Sequence, residues 1–217
     1  MDELDLLLAE ASFQGGDEWK AARCGMFTAS RFSDLMTNGR GSDAIGQTGT
    51  TYIQEVATER ITGEPINGFQ GNAATEWGNE NEPLAIAEYE QATGVAVSPA
   101  PFVSRDNWTG GSPDGLVDKD GLIEVKCPFN SRYHLLRLMA DEPPSKYKWQ
   151  IQGNLWVTGR DWLDYIDYDP RFPGATRLRV IRVNRDEAAI KLLSKRIELC
   201  IELAQSMIQK IEGHGSI

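Results

Sequence analysis

Two periodicities divide the chain. From 186 to 211 the apolar residues Ile190, Leu193, Ile197, Cys200, Ile201, Ala204 and Ile208 recur at steps of three and four. That spacing lines one face of an α-helix, and Asn184 just before it is the expected cap. Helical composition also marks Asp17–Arg23, Arg31–Met36 with Ser30 as its cap, Thr50–Ile61 stopped at Gly63, and Ser145–Val157. Glu76–Gln91 is helical too, with Pro83 expected to begin or kink a helix there. Between the helices the period falls to two: Ala100–Arg105, Gly115–Val125, Trp162–Tyr168 and Leu178–Val183 read as strands. Gly115–Val125 reads as a hairpin around Lys119-Asp120-Gly121, and Thr37–Gly49, rich in Gly, Ser, Thr and Asn, reads as a loop. Helices, then strands, then helices predict an α/β (α+β) domain with a small central sheet, spanning 1–217 as one unit.

Composition narrows the class without fixing a function. At 217 residues, 41% hydrophobic and 25% charged, the chain has the profile of a soluble globular domain. No apolar run reaches the roughly 20 residues needed to span a bilayer, so no membrane role is expected. The opening MDELDLLLAE is acidic where a secretory signal would be basic, and a cytoplasmic location is expected. Cys24, Cys127 and Cys200 are odd in number and far apart, and with His134 and His214 they match no zinc spacing. Any metal is therefore held by carboxylates, which suits a hard ion such as magnesium. A net charge of −10 argues against a general nucleic-acid coat, but not against an enzyme whose basic groups line a channel.

The candidate chemistry lies in SPDGLVDKDGLIEVKCP, from Ser112 to Pro128. Residues two apart share a strand face, so Glu124 and Lys126 point one way while Ile123 and Val125 point into the core. With Gly121 as the left-handed residue of a three-residue turn, Asp118 pairs with Leu122 and Asp114 lies across from Lys126. Two carboxylates and an amine then converge. Such a set binds magnesium through oxygen and suits phosphodiester hydrolysis, with the lysine orienting or deprotonating the attacking water. The competing reading is a surface hairpin whose Glu124 and Lys126 form an exposed ion pair. A calcium loop at Asp118–Gly121 fails, because the glycine comes too early and later ligands are missing.

Ser112-Pro113-Asp114-Gly115 followed by Glu124-Val125-Lys126-Cys127-Pro128 resembles the PD-(D/E)xK nuclease core. The longer EVKCPFNS is similar to the matching segment of phage lambda exonuclease and the YqaJ-like viral recombinases. WKAARCGMFTAS from Trp19, WGNENE from Trp77, QIQGNLWVTG from Gln150 and YDPR from Tyr168 agree in order. The likeness covers nearly the whole chain up to Arg171.

The resemblance implies a restriction-endonuclease-like PD-(D/E)xK core, with a small central mixed β-sheet flanked by helices. It makes Asp114 and Glu124 metal ligands, adds the Val125 carbonyl, and gives Lys126 the attacking water. Glu82 matches the helix-borne acid that helps hold a second ion, with Glu80 as a substitute because Pro83 departs from the expected pattern. Gln150 matches a glutamine beside the catalytic lysine. Arg23, Thr28 and Ser30 fall where the family binds a 5′-phosphate, and guanidinium and hydroxyls suit that group; Trp19 reads as core. Arg132, Arg137, Lys146 and Lys148 are candidate contacts to the DNA backbone. The expected activity is Mg2+-dependent, processive 5′-to-3′ digestion of double-stranded DNA ends, using two ions, with Mn2+ as a substitute. The family implies a homotrimeric ring and a single-strand annealing protein as partner, acting in the cytoplasm of a bacterial host from a phage or prophage gene. A nicking or junction-cutting endonuclease on the same core, and a non-catalytic DNA-binding scaffold, are the alternatives.

Overall fold

A computed structural model describes residues 16–41, 44–66 and 71–214. The acidic opening MDELDLLLAE lies outside the described residues, as do Ser42 and Asp43 of the loop. Seven α-helices are described: α1 (Asp17–Arg23), α2 (Phe32–Leu35), α3 (Gln47–Thr62), α4 (Ala73–Thr93), α5 (Ser131–Leu138), α6 (Lys148–Thr158) and α7 (Glu187–His214). The strands are β1 (Phe27–Thr28), β2 (Val97–Ser98), β3 (Val103–Ser104), β4 (Thr109–Gly111), β5 (Gly115–Val117), β6 (Gly121–Lys126), β7 (Trp162–Tyr168) and β8 (Leu178–Asn184). No described helix is long and apolar enough to cross a membrane.

Five strands form a mixed sheet in the order β2-β5-β6-β7-β8, in which only β6 and β7 run parallel. A small second sheet has the order β1-β4-β3. Both faces of the larger sheet are covered. Ala85 and Tyr89 of α4 pack on Ile123, Val125 and Ile166, while Ile151 and Leu155 of α6 pack on Leu122, Leu163 and Tyr165. The periodic face of α7, through Ile190, Leu193, Ile197, Cys200 and Ala204, meets Tyr52, Ile53 and Val56 of α3 in a separate cluster. The mixed sheet flanked by helices is thus the predicted architecture.

Several local expectations are corrected. The β5–β6 register pairs Gly115 with Ile123 and Val117 with Gly121, two residues from the predicted pairing. Asp118, at φ 46°, takes the left-handed turn position in place of Gly121. Gly121 serves packing instead: a Cβ there would lie 2.2 Å from the Trp162 ring. A slip of two preserves which face each side chain occupies, so Asp114 still falls on the side of Glu124 and Lys126. The cap of α7 is Asp186, whose Oδ1 accepts from the N–H groups of Ala188 and Ala189, and not Asn184. Ser30 caps no helix. Finally, α4 starts at its Asn72 cap and runs through Pro83 without ending there. Pro83 and Asn79, whose carbonyl loses its helical partner, are both exposed, so the missing bond costs little.

Gly121→Ala is expected to destabilise the fold by about 1–3 kcal/mol, because the added Cβ would overlap the Trp162 ring and force it to shift. Thermal unfolding checks this. An unchanged midpoint would mean that the ring moves freely.

Candidate active site

Strand β6 builds the site by facing two ways. Ile123 and Val125 anchor it on the α4 side, and Leu122 anchors it on the α6 side. Glu124, fully buried, and Lys126, with 27% of its side chain exposed, project beyond Leu122 on that second face. Lys126 Nζ donates to Glu124 Oε1 at 2.5 Å; with Glu124 buried and Lys126 partly so, this is not the exposed surface pair of the competing reading. Asp114, just before β5, accepts the Val125 N–H on Oδ2 at 2.6 Å, which ties the turn to the strand. Helix α6 adds two amides one turn apart: Gln150 Nε2 donates to Glu124 Oε1 at 2.5 Å, and Asn154 Nδ2 to Oε2 at 3.1 Å.

One cleft brings together Asp114, Glu124, Lys126, Glu82 and Gln150 with Trp19, Arg23, Ser30 and Ser112. An adjoining one is lined by Glu82, Val125 and Lys126 with the first turns of α4. Glu80 is exposed and lines neither, so Glu82 is the acid that α4 brings to the clefts. Arg23 enters from the end of α1. Its guanidinium lies 4.1 Å from the centre of the Trp19 ring, and it donates to Ser112 Oγ at 3.5 Å and to Thr28 Oγ1 and Ser30 Oγ at 3.2 Å each. Thr28 is buried behind Arg23, where its hydroxyl also meets Tyr52, so it braces the arginine from outside the cleft. Trp19 is not core: α1 has no buried residue, and the Trp19 indole N–H donates to Ser112 Oγ at 2.9 Å.

Acidic side chains outnumber basic ones in the cleft, three to two. Burial pushes the Glu82 carboxyl up to about 7, with Asp114 adding to the shift and Lys126 opposing it. Burial likewise raises Glu124, and repulsion from Asp114 adds to it. Burial works against the Lys126 ammonium, but Glu124 and Asp114 outweigh it and hold the lysine protonated above its ordinary range. Three carboxylates therefore share the cleft with the Lys126 ammonium and the Arg23 guanidinium. Among the described residues no three acids, histidines or cysteines form a ready cage for one ion, and both Glu124 oxygens are engaged, by Lys126, Gln150 and Asn154. The donor set nevertheless fits a hard divalent cation: Glu82, Asp114 and Glu124 bring mutually repelling carboxylate oxygens to one cleft.

The four candidate DNA contacts line neither cleft. Arg132 is exposed on α5 beside Tyr133, and Arg137 donates to the Glu142 carbonyl at 3.2 Å. Lys146 and Lys148 are exposed, over the rings of Tyr147 and Trp149. Sequence reasoning missed Ser112 and Asn154. Ser112 reads as turn chemistry beside Asp114, whereas the four-residue step from Gln150 to Asn154 was a usable signal.

Residues 18–161 match the YqaJ-like viral recombinase domain. The chain belongs to the YqaJ-like viral recombinase family. No curated protein matches it. Among solved structures, this family member resembles an alkaline exonuclease from Laribacter hongkongensis, with 32% identity and a TM-score of 0.83 over 93% of this chain and 98% of that one. The same exonuclease in complex with dAMP gives 32% identity and a TM-score of 0.82 over the same shares. A phage-related exonuclease from Haemophilus somnus 129PT shares the fold, at 19% identity and a TM-score of 0.71 over 86% and 96% of the two chains. The YqaJ-like domain thus begins in α1, at the tryptophan–arginine segment, and runs past α6, covering every residue of the cleft.

Proposed function

We propose that this protein is a Mg2+-dependent, processive 5′-to-3′ exonuclease of double-stranded DNA. It leaves 3′ single-stranded overhangs for recombination by single-strand annealing. The observation that carries the reading is the shared cleft: Arg23 and Ser30 stand in the same groove as Asp114, Glu124 and Lys126. A groove holding both an end-binding arginine and a hydrolytic set favours an exonuclease over an endonuclease, which needs no anchor for a terminal phosphate. Membership of the family and the likeness to an alkaline exonuclease support it, and the dAMP bound by that relative is the kind of product such digestion releases.

Asp114, Glu124, Glu82 and the Val125 carbonyl would hold magnesium, in two sites, with manganese as a substitute. When bound, the metal supplies Lewis-acid polarisation of the phosphoryl group and acidifies water. The protein's own groups do the rest. Lys126 Nζ holds the attacking water in line with the scissile phosphate, and Gln150 keeps the Lys126–Glu124 pair in place. Arg23, braced by Thr28, binds the 5′-phosphate with Ser30 and Ser112, and hydroxyl partners leave its charge for the ligand. Arg132, Arg137, Lys146 and Lys148 contact the DNA backbone outside the cleft. The proposed assembly is a homotrimeric ring around duplex DNA. It works with a single-strand annealing protein in the cytoplasm of a bacterial host, from a phage or prophage gene.

Digestion of matched linear duplexes with and without a 5′-phosphate tests the reading, with a covalently closed circle as the third substrate. Fast loss of the phosphorylated duplex alone is expected. Comparable cleavage of the circle would identify an endonuclease, and equal loss of both linear duplexes would remove the end anchor.

Metal affinity is expected to rise with pH. Glu82 must shed its proton to bind a cation, so this group alone should lower the Mg2+ midpoint by up to tenfold per unit as pH rises towards about 7. In the metal-free protein this raised carboxyl stabilises the fold below its ordinary 4.5, and that contribution is lost as pH rises through about 7. Added Mg2+ should therefore raise the melting temperature more at pH 8.5 than at pH 6. An equal shift at both would mean that Glu82 is not a ligand.

A further inference from the structure

We infer that Asn154 is a positioning residue for Glu124. It forms with Gln150 an amide fork that fixes both oxygens of the carboxylate, so that the acid presents one orientation to the metal. This inference rests on the proposed nuclease reading. Gln150 and Asn154 are one helical turn apart on α6 and reach different oxygens, Oε1 and Oε2. The donors are neutral. Lys126 already places one cation on Oε1; a second at position 154 would compete further with the metal, whereas an amide aims the carboxylate without adding charge.

Asn154 is otherwise hard to account for. It is 1% exposed, on a helix whose Ile151, Leu155, Trp156 and Val157 are all buried, and asparagine is a poor residue for a helix interior. Its Nδ2 serves Glu124, but its Oδ1 is buried without a hydrogen-bond partner. A buried, unpaired carbonyl is a cost that packing alone would remove by using an apolar residue. Strand β4 is shaped to accept it: a Cβ on Gly111 would lie 2.6 Å from that oxygen. A strand glycine and an unsatisfied acceptor are both tolerated at one place, and what they keep is the bond to Glu124. A partner of a ligating carboxylate sets ligand orientation and basicity, so its loss should weaken the metal about tenfold or more.

The test uses the full chain and two variants. Asn154→Leu keeps the volume and deletes the donor. Asn154→Ser is smaller and falls short of Glu124, and it serves if the leucine variant does not fold. Mn2+ binding to DNA-free protein is read by electron paramagnetic resonance, beside the Mg2+ dependence of duplex digestion. The expected result is Mn2+ binding weakened about tenfold, digestion recovered by raising Mg2+, and an unchanged KM for duplex ends at saturating Mg2+. A folded variant with wild-type Mn2+ affinity would overturn the inference while leaving the nuclease reading intact, since Asn154 would then serve packing alone. A wild-type protein that binds no Mn2+ would overturn the nuclease reading itself, and the inference with it.

Discussion

Replacing Lys126 with alanine is expected to lower single-turnover digestion of a 5′-phosphorylated duplex by about 10²–10⁴-fold, the range for losing a group that handles the attacking water. The ground for this size is the isolation of the amine. Among three carboxylates it is the one ammonium they share, and Glu124 and Asp114 keep it charged despite its burial. Duplex affinity, followed by fluorescence anisotropy in Ca2+, should change by only a few fold, because the proposed backbone contacts, Arg132, Arg137, Lys146 and Lys148, line neither cleft. The fold should survive. Without the ammonium, Glu124 retains Gln150 and Asn154 as donors and can take up a proton. Lys126→Arg should not rescue the rate, since a planar fork cannot replace a point charge between Glu124 and the Tyr147 ring, 5.5 Å from Nζ. A rate within tenfold of wild type would remove Lys126 from the chemistry.

Arg23→Ala is expected to abolish discrimination between 5′-phosphorylated and 5′-hydroxyl ends. Two charge-assisted hydrogen bonds at the low end of their range amount to about 3 kcal/mol, or about 10²-fold. The loss should fall on KM for phosphorylated ends and on the length of DNA degraded per encounter. The rate on hydroxyl ends, which lack the anchoring group, should move little. Competition between labelled duplexes with the two ends measures the ratio directly. A preference that persists would place the end-binding group elsewhere. Because Arg23 also covers the Trp19 ring, the variant's melting temperature has to be compared with that of wild type before the ratio is interpreted.

What the sequence disclosed, and what it concealed, follows the range of the interactions. The periodic face of α7 and the alternation in β6, β7 and β8 are local signals, and each element lies where the period puts it. Asp114, Glu124 and Lys126 come together because strand parity is local arithmetic. The turn was misread because Lys119-Asp120-Gly121 has good turn chemistry, whereas the reason for Gly121 is a tryptophan in the neighbouring strand. Asn184 and Asp186 are both competent caps two residues apart, and only the path of the chain out of β8 chooses between them. Ser30 looked like a cap and is spent on Arg23. Pro83 looked like a boundary, but the packing of α4 on the sheet through Ala85 and Tyr89 outweighs one lost hydrogen bond. Ser112 and Asn154 act across the fold, one from the turn before β5 to α1 and the other from α6 to β6; the helical step from Gln150 hints at Asn154, and no local pattern announces Ser112.

The two-faced packing of β6 also governs how relatives of this chain can differ in length. A single residue gained or lost between Leu122 and Ile123 would turn Glu124 and Lys126 toward α4 and bring Ile123 and Val125 into the cleft, exchanging core for chemistry in one step. The turn at Asp118-Lys119-Asp120 has no such constraint, because it stands outside both strands. Length variation among homologues should therefore collect in that turn and be absent from the strand. The six residues of β6 then behave as a fixed ruler, read from the turn, and inheritance can alter its sequence but not its graduation.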